Sequence, residues 1–328
     1  MLIDAKQNIG QVIFPPYGVM TDGLQQELDG FPEIPPDFLP IAHPQESSRE
    51  DAWRAWKRET IELLGRSLWP SWDITQRQWS DPNAEKMVGL TAKDLEFISE
   101  MRVKDLHELP SSPLRSTDCP VHQTFYRSED DQDWFLQYRF YDSTLTSDFI
   151  NELSQVFGCR ADDKSGSVHL QIKTVFQRPR PFQTVFLLHK PTIKPLQAIS
   201  AGSPSLCSGH SFQASLGIGA VMEFLLLREK KLSSNSWTAL RQHAVDIGDR
   251  RVFAGVHYPS DNLASWIVAM RLANYVYRVP DVKVHLWHAI SRQSAVFGAI
   301  SREPVYQEAI KILREAAADA EEAASRIS

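Results

Sequence analysis

Apolar residues in this chain recur mainly at the i, i+3, i+4 spacing of a helix, and convincing alternation is scarce. The spacing predicts helices over Val168–Gln177, Gly209–Lys230, Ser236–Gly248 and Pro259–Tyr277, with polar loops at Ala201–Ser205 and Ser233–Asn235. An Ala- and Glu-rich tail, Pro304–Ile327, predicts one more. Towards the N-terminus, Trp53, Trp56, Ile61 and Leu64 share a face of a helix over Arg49–Leu64. Leu90–Met101 and Ser147–Phe157 also read as helices, each opening near a Thr or Ser able to cap it. The expected fold class is therefore all-α. The two most apolar stretches, Leu216–Leu227 and Leu263–Val276, are interrupted by Glu223 and Arg271. Both fall short of the ~20 residues a bilayer needs, so they predict buried core helices and no integral membrane segment.

Composition changes this picture along the chain. Up to about residue 115 the sequence is rich in proline, and five of its nine tryptophans lie between Trp53 and Trp79. This predicts an irregular Pro/Trp-rich extension (1–115) packing on a helical catalytic body (116–300), followed by an amphipathic C-terminal helix (301–328). The aromatic arm and that last helix are the segments suited to a homo-oligomer contact. A net charge of -6 and a pI near 5.9 exclude a general nucleic-acid binder but leave room for a small cationic pocket. Cys119, Cys159 and Cys207 have no spacing of a disulfide framework or zinc site. No basic start followed by an apolar run opens the sequence, so a cytoplasmic location is the expectation.

Three segments carry candidate chemistry. In Lys173-TVFQRP-Arg180-Pro181, Pro179 and Pro181 end a helix and hold Arg180 stiffly. A lysine point charge and a planar guanidinium then suit an anion with several oxygens, although such pairs are commonly solvated surface. In Cys207-Ser208-Gly209-His210, small residues enter a long apolar helix, where backbone N–H groups and the helix dipole favour an anion. A plain serine N-cap beside an incidental histidine would look the same. In Arg250-Arg251-VFAGV-His257-YPS-Asp261, the carboxylate four residues after His257 can take its Nδ1–H and leave Nε2 lone-paired for nucleophilic attack. Arg251 can return to the same anion. A capping aspartate beside a buried histidine is the bland alternative.

Taken jointly, K-x6-R-P, S-G-H and R-x5-H-x3-D, in that order and at helix ends, are a specific pattern. The region Asn151–Tyr277 resembles the superfamily of type 2 phosphatidic acid phosphatases, bacterial class A acid phosphatases and vanadium-dependent haloperoxidases. It looks nearest to the soluble class A acid phosphatases. The resemblance implies a helical bundle and a metal-free phosphatase acting on a small phosphorylated substrate. Lys173, Arg180, Arg251, Ser208 and the Gly209 amide would hold the phosphate. His257, oriented by Asp261, would form a phosphohistidine, and His210 would protonate the leaving group. In the haloperoxidase branch the same cage would hold vanadate as cofactor.

Two residues depart from the family pattern. Cys207 stands where a proline is usual and reads as a buried inert thiol. Arg250 stands where a serine is usual and reads as a surface residue over the helix end, the alternative being a fourth cation at the site. A metal held by His210, His257 and Asp261 is disfavoured by the adjacent cations. His169, His189, His285 and His288 show no partner pattern and read as surface or packing residues. A serine-hydrolase reading of Ser208 lacks G-x-S-x-G.

Overall fold

The computed structural model describes Glu27 and residues 49–73, 75–79, 84–108, 168–187 and 199–324. The chain is helical in α1 (Arg49–Ser67), α2 (Ala84–Glu108), α3 (Val168–Phe176), α4 (Pro181–Leu187), α5 (Gly209–Leu227) and α6 (Ser234–Phe253). It continues through α7 (Pro259–Val276), α8 (Pro280–Gln293), α9 (Ala295–Ile300), α10 (Gln307–Ala316) and α11 (Ala318–Ala324). Short 3-10 turns span Ile199–Gly202 and Pro304–Tyr306. The strands among the described residues are a two-residue antiparallel pair, Trp72–Asp73 with Gln78–Trp79, in which Trp72 faces Trp79.

The centre of this all-α fold is α5, which packs on α6, α7 and α8 and touches α3. Its residues from Ser211 to Leu225, Gln213 apart, are buried, as a helix apolar on every side requires. Among the described residues it alone is long and apolar enough to cross a membrane, and 78% of that stretch is buried inside the protein. Both polar interruptions serve packing. Buried Glu223 accepts the backbone N–H groups of Arg278 and of Val279 (3.1 Å), capping the start of α8. Arg271 pairs with Glu59 (2.8 Å) and donates to Thr60 (3.1 Å), tying α7 to α1. Trp56 and Leu64 are buried on α1, and Trp266 on α7 is fully enclosed.

Several boundaries differ from expectation. Helix α6 starts at Ser234, capped by the Ser233 hydroxyl accepting the Ser236 N–H (3.2 Å), and runs past Gly248 to Phe253. Gly248 does not end the helix; it lets α6 pack tightly on the first turn of α5, since a Cβ there would stand 2.6 Å from Ser211 Oγ. The tail divides into a 3-10 turn, α10 and α11, and the short helix α4 follows directly on Arg180. Helices α8 and α9 went unpredicted, although Val282, Leu286, Ala289 and Ile290 give α8 a buried face at helical spacing. The expected Ser147–Phe157 helix, His189, Cys119, Cys159 and the proline-rich start lie outside the described residues.

Candidate active site

Lys173 sits in the last turn of α3, which closes at Gln177, a residue with left-handed φ of 47°. The run Arg178-Pro179-Arg180-Pro181 follows, and Pro181 opens α4 with the fixed φ a first helical residue needs. Both cationic side chains turn inward. Lys173, 4% exposed, donates from Nζ to the carbonyls of Pro204 and Ser205 (3.2 Å to the latter). Arg180, 1% exposed, donates to Ser203 O (2.8 Å), Val256 O (2.7 Å) and His257 Nε2 (2.8 Å).

Ser208 is the N-cap of α5, its hydroxyl accepting the Ser211 N–H (3.3 Å). The mouth of α5 is pinned to α7, because Ser208 N donates to Asp261 O (3.3 Å) and Ser265 Oγ donates to Ser208 O (2.8 Å). The absence of a side chain at Gly209 has a local reason. A Cβ there would stand 2.9 Å from Cδ2 of the His169 ring. His210 follows on the first turn and is only partly buried.

Between α6 and α7 the chain reverses in a tight turn. Arg251 O accepts the N–H groups of Val256 and His257 (3.3 Å each), and Gly255 takes the φ of 74° this requires. His257 Nδ1 then lies 3.0 Å from Asp261 Oδ2, which also accepts Tyr258 N–H (2.9 Å) and the Ser205 hydroxyl. A guanidinium has donors and no acceptor. Its contact with Nε2 therefore fixes the histidine proton on Nδ1, facing Asp261, and the lone pair on Nε2.

The electrostatics agree with convergence. Burial first, then the charges of Arg180, Lys173 and Arg251, holds His257 well below the usual histidine range. His210 is depressed likewise by burial, then Arg251, His169, Lys173 and Arg180. Burial and Arg180 push Lys173 down to about 7. All eight residues expected from sequence stand at the facing ends of α3, α4, α5, α6 and α7. Buried positive charge around an α5 N-terminus is an arrangement for a multiply charged oxyanion.

One expectation is corrected. Arg250 is not a surface residue. It is 2% exposed and pairs with Asp246 (2.8 Å) one turn earlier on α6, where Asp246 is buried too. Of the two readings open for His169, packing holds: its ring fills the space over Gly209 and lies 6.0 Å from that of Phe212. Cys207 is buried, and burial pushes its thiol up to about 11.

Sequence reasoning missed a second layer. Arg178 is fully buried and bonds Asp261 Oδ1 (3.0 Å), Ser260 Oγ (2.6 Å) and Asp94 Oδ2 (2.8 Å). Its only sequence signal is its place in the same QRPR run as Arg180. Asp94 comes from α2, too far along the chain for any spacing to reveal it.

Fold and site together give a helical protein in which buried cations surround His257, whose Nδ1 faces Asp261 and whose Nε2 faces Arg180. Residues 159–284 match the PAP2 superfamily model, so this segment is similar to the superfamily of type 2 phosphatidic acid phosphatases. No curated protein and no solved structure matches the chain.

Proposed function

We propose that the protein is a phosphatase that hydrolyses phosphate esters through a phosphohistidine on His257. The observation that carries this reading is the pair of contacts on one imidazole, with Asp261 at Nδ1 and Arg180 at Nε2 (3.0 and 2.8 Å). Arg180 marks where the anion belongs: its N–H passes from Nε2 to a phosphoryl oxygen when substrate arrives. Arg251, Lys173 and the N–H groups at the start of α5 hold the other oxygens, so catalysis is positioning and charge stabilisation.

His257 Nε2 attacks phosphorus, a P–N bond forms, and the bond to the leaving oxygen breaks. His210 donates the proton that oxygen needs. The phosphate dianion counters the Arg251, Lys173 and Arg180 charges that add to burial in depressing His210, the direction its role as proton donor requires. Neutral His210 then takes a proton from water, which attacks phosphorus; the P–N bond breaks and His257 is restored. Asp261 stabilises the charge that develops on His257 in both steps.

Assay of an aryl phosphate in EDTA tests this. Phosphate release by the wild type, inhibition by vanadate, and loss of turnover in folded His257→Ala are expected. No hydrolysis, with bromination of a phenolic dye given vanadate and peroxide, would replace this reading by the haloperoxidase one. Phosphate binding without either activity would leave a non-catalytic oxyanion binder.

A further inference from the structure

Arg178 and Arg180 are two residues apart, yet they meet different partners. The Arg178 guanidinium carbon lies over two aromatic rings, 3.9 Å from the Tyr258 ring centroid and 4.7 Å from that of Trp69. The guanidinium is bonded at both ends. NH1 reaches Asp261 Oδ1 and Ser260 Oγ (3.0 and 2.6 Å), and NH2 reaches Asp94 Oδ2 (2.8 Å). Asp94 is held in turn by Tyr306 OH (2.8 Å), Ser260 N–H (3.2 Å) and the Ser260 hydroxyl.

The two oxygens of Asp261 thus have separate tasks: Oδ1 faces Arg178, and Oδ2 faces His257, Tyr258 N–H and Ser205. Asp94, fully buried, divides the arginine's charge between two carboxylates. Without it, the whole of that charge would fall on Asp261 and weaken the field Asp261 exerts on His257. Asp94 and Tyr306 both lie outside residues 159–284, on α2 and at the turn before α10.

We propose that Arg178 is a positioning residue for the Asp261–His257 pair, and that Asp94 and Tyr306, contributed by flanking segments of the chain, complete it as one buried unit. The matched segment then supplies the anion cage and the nucleophile, and its flanks set the carboxylate that orients them. This rests on the phosphatase reading for its kinetic consequence but not for its geometry.

The test reads both. Long-range 1H–15N correlation spectra of the 15N-histidine-labelled full chain, without substrate, report the His257 tautomer and its Nδ1–H proton resonance, assigned by their loss in His257→Ala. The wild type is expected to hold the proton on Nδ1. Arg178→Lys has one ammonium in place of a fork and cannot serve both carboxylates. With Arg180 still donating to Nε2 the proton stays on Nδ1, and the expected change is a shift of the Nδ1–H resonance, with kcat on an aryl phosphate lowered about ten- to a hundredfold and KM changed far less. Asp94→Asn and Tyr306→Phe keep Arg178 in place and are expected to give smaller kcat losses in the same order. They decide the matter if Arg178→Lys does not fold. A wild-type Nδ1–H resonance and wild-type kcat in folded Arg178→Lys, or in both milder variants, would overturn the proposal. A wild type that hydrolyses no phosphate ester would instead fail the phosphatase reading, while the resonance shift would still decide the positioning role.

Discussion

Arg178 and Arg180 leave the same short loop, both are buried, and their charges are put to opposite uses. Arg178 faces two carboxylates and two aromatic rings. Burial works against its charge, but Asp261 and Asp94 outweigh that and hold its pKa above the ordinary arginine value. Arg180 bonds to neutral acceptors at Ser203, Val256 and His257. Its positive field reaches outward, depressing both Lys173 and His257. A buried cation whose field is neutralised on the spot acts through the groups it holds; one whose field still acts on its neighbours is suited to an anion.

The largest effect that can break this comparison is a contrast between two variants. Removing one partner of a buried ion pair leaves an uncompensated charge, so Asp94→Ala is expected to cost about 3–5 kcal/mol in denaturant unfolding. Arg180→Met should change stability by no more than about 1 kcal/mol. Its lost bonds to two carbonyls are offset by relief of repulsion with Lys173 and Arg251, the usual exchange of stability for function at a site. Its kcat/KM for an aryl phosphate should fall by about a hundredfold or more. Similar stability losses in the two variants would erase the distinction drawn here.

The same contrast explains what the sequence made legible. Helix α5 and helix α7 announce themselves by apolar runs, and the cage residues by joint spacing at helix ends, because those signals are local. Arg178 carries no local mark that separates it from Arg180. Its role depends on Asp94, which lies 84 positions away, and on Tyr306, which in turn lies 212 positions from Asp94. Arg250 reads as a surface residue over the helix end, but it is buried against Asp246, one turn earlier on the same helix face. For His169 the choice between surface and packing stays open in the sequence, because a ring filling the space over a glycine leaves no periodicity to read.

An intermediate effect concerns Lys173, whose pKa burial and Arg180 hold at about 7. Below that pH it is a cation for phosphate; above it, the free enzyme loses the charge. The aryl phosphate kcat/KM should therefore fall as pH rises through neutrality, approaching tenfold per pH unit well above it. Stability should move the other way. The folded pKa lies below the ordinary 10.5, so the unfolded chain binds more protons between about 7 and 10.5, and folding gains as pH rises across that window. Lys173→Arg keeps its charge throughout and should flatten the alkaline fall in kcat/KM. An unchanged profile in that variant would assign the fall to another group and leave Lys173 outside the cage.

The smallest expected effect tests whether the mouth of α5 is shaped by packing rather than by charge. In Gly209→Ala the new methyl would meet the His169 ring at 2.9 and 3.1 Å, closer than van der Waals contact allows. Alanine is the better helix former by about 1 kcal/mol, which opposes the clash. Overpacking in a buried site costs about 1–3 kcal/mol, so a net loss of about 1 kcal/mol in unfolding is expected. The clash pushes either the ring or the helix start, so phosphate affinity measured by calorimetry should weaken a few-fold. His169→Ala removes the obstacle, and in the Gly209→Ala/His169→Ala pair the two losses should be less than additive by about 0.5 kcal/mol or more. Strict additivity would mean that the ring is not what makes glycine necessary, and that residue 209 is small for the anion's sake alone. A positive coupling would place a steric requirement beside the electrostatic one that distinguishes Arg180 from Arg178.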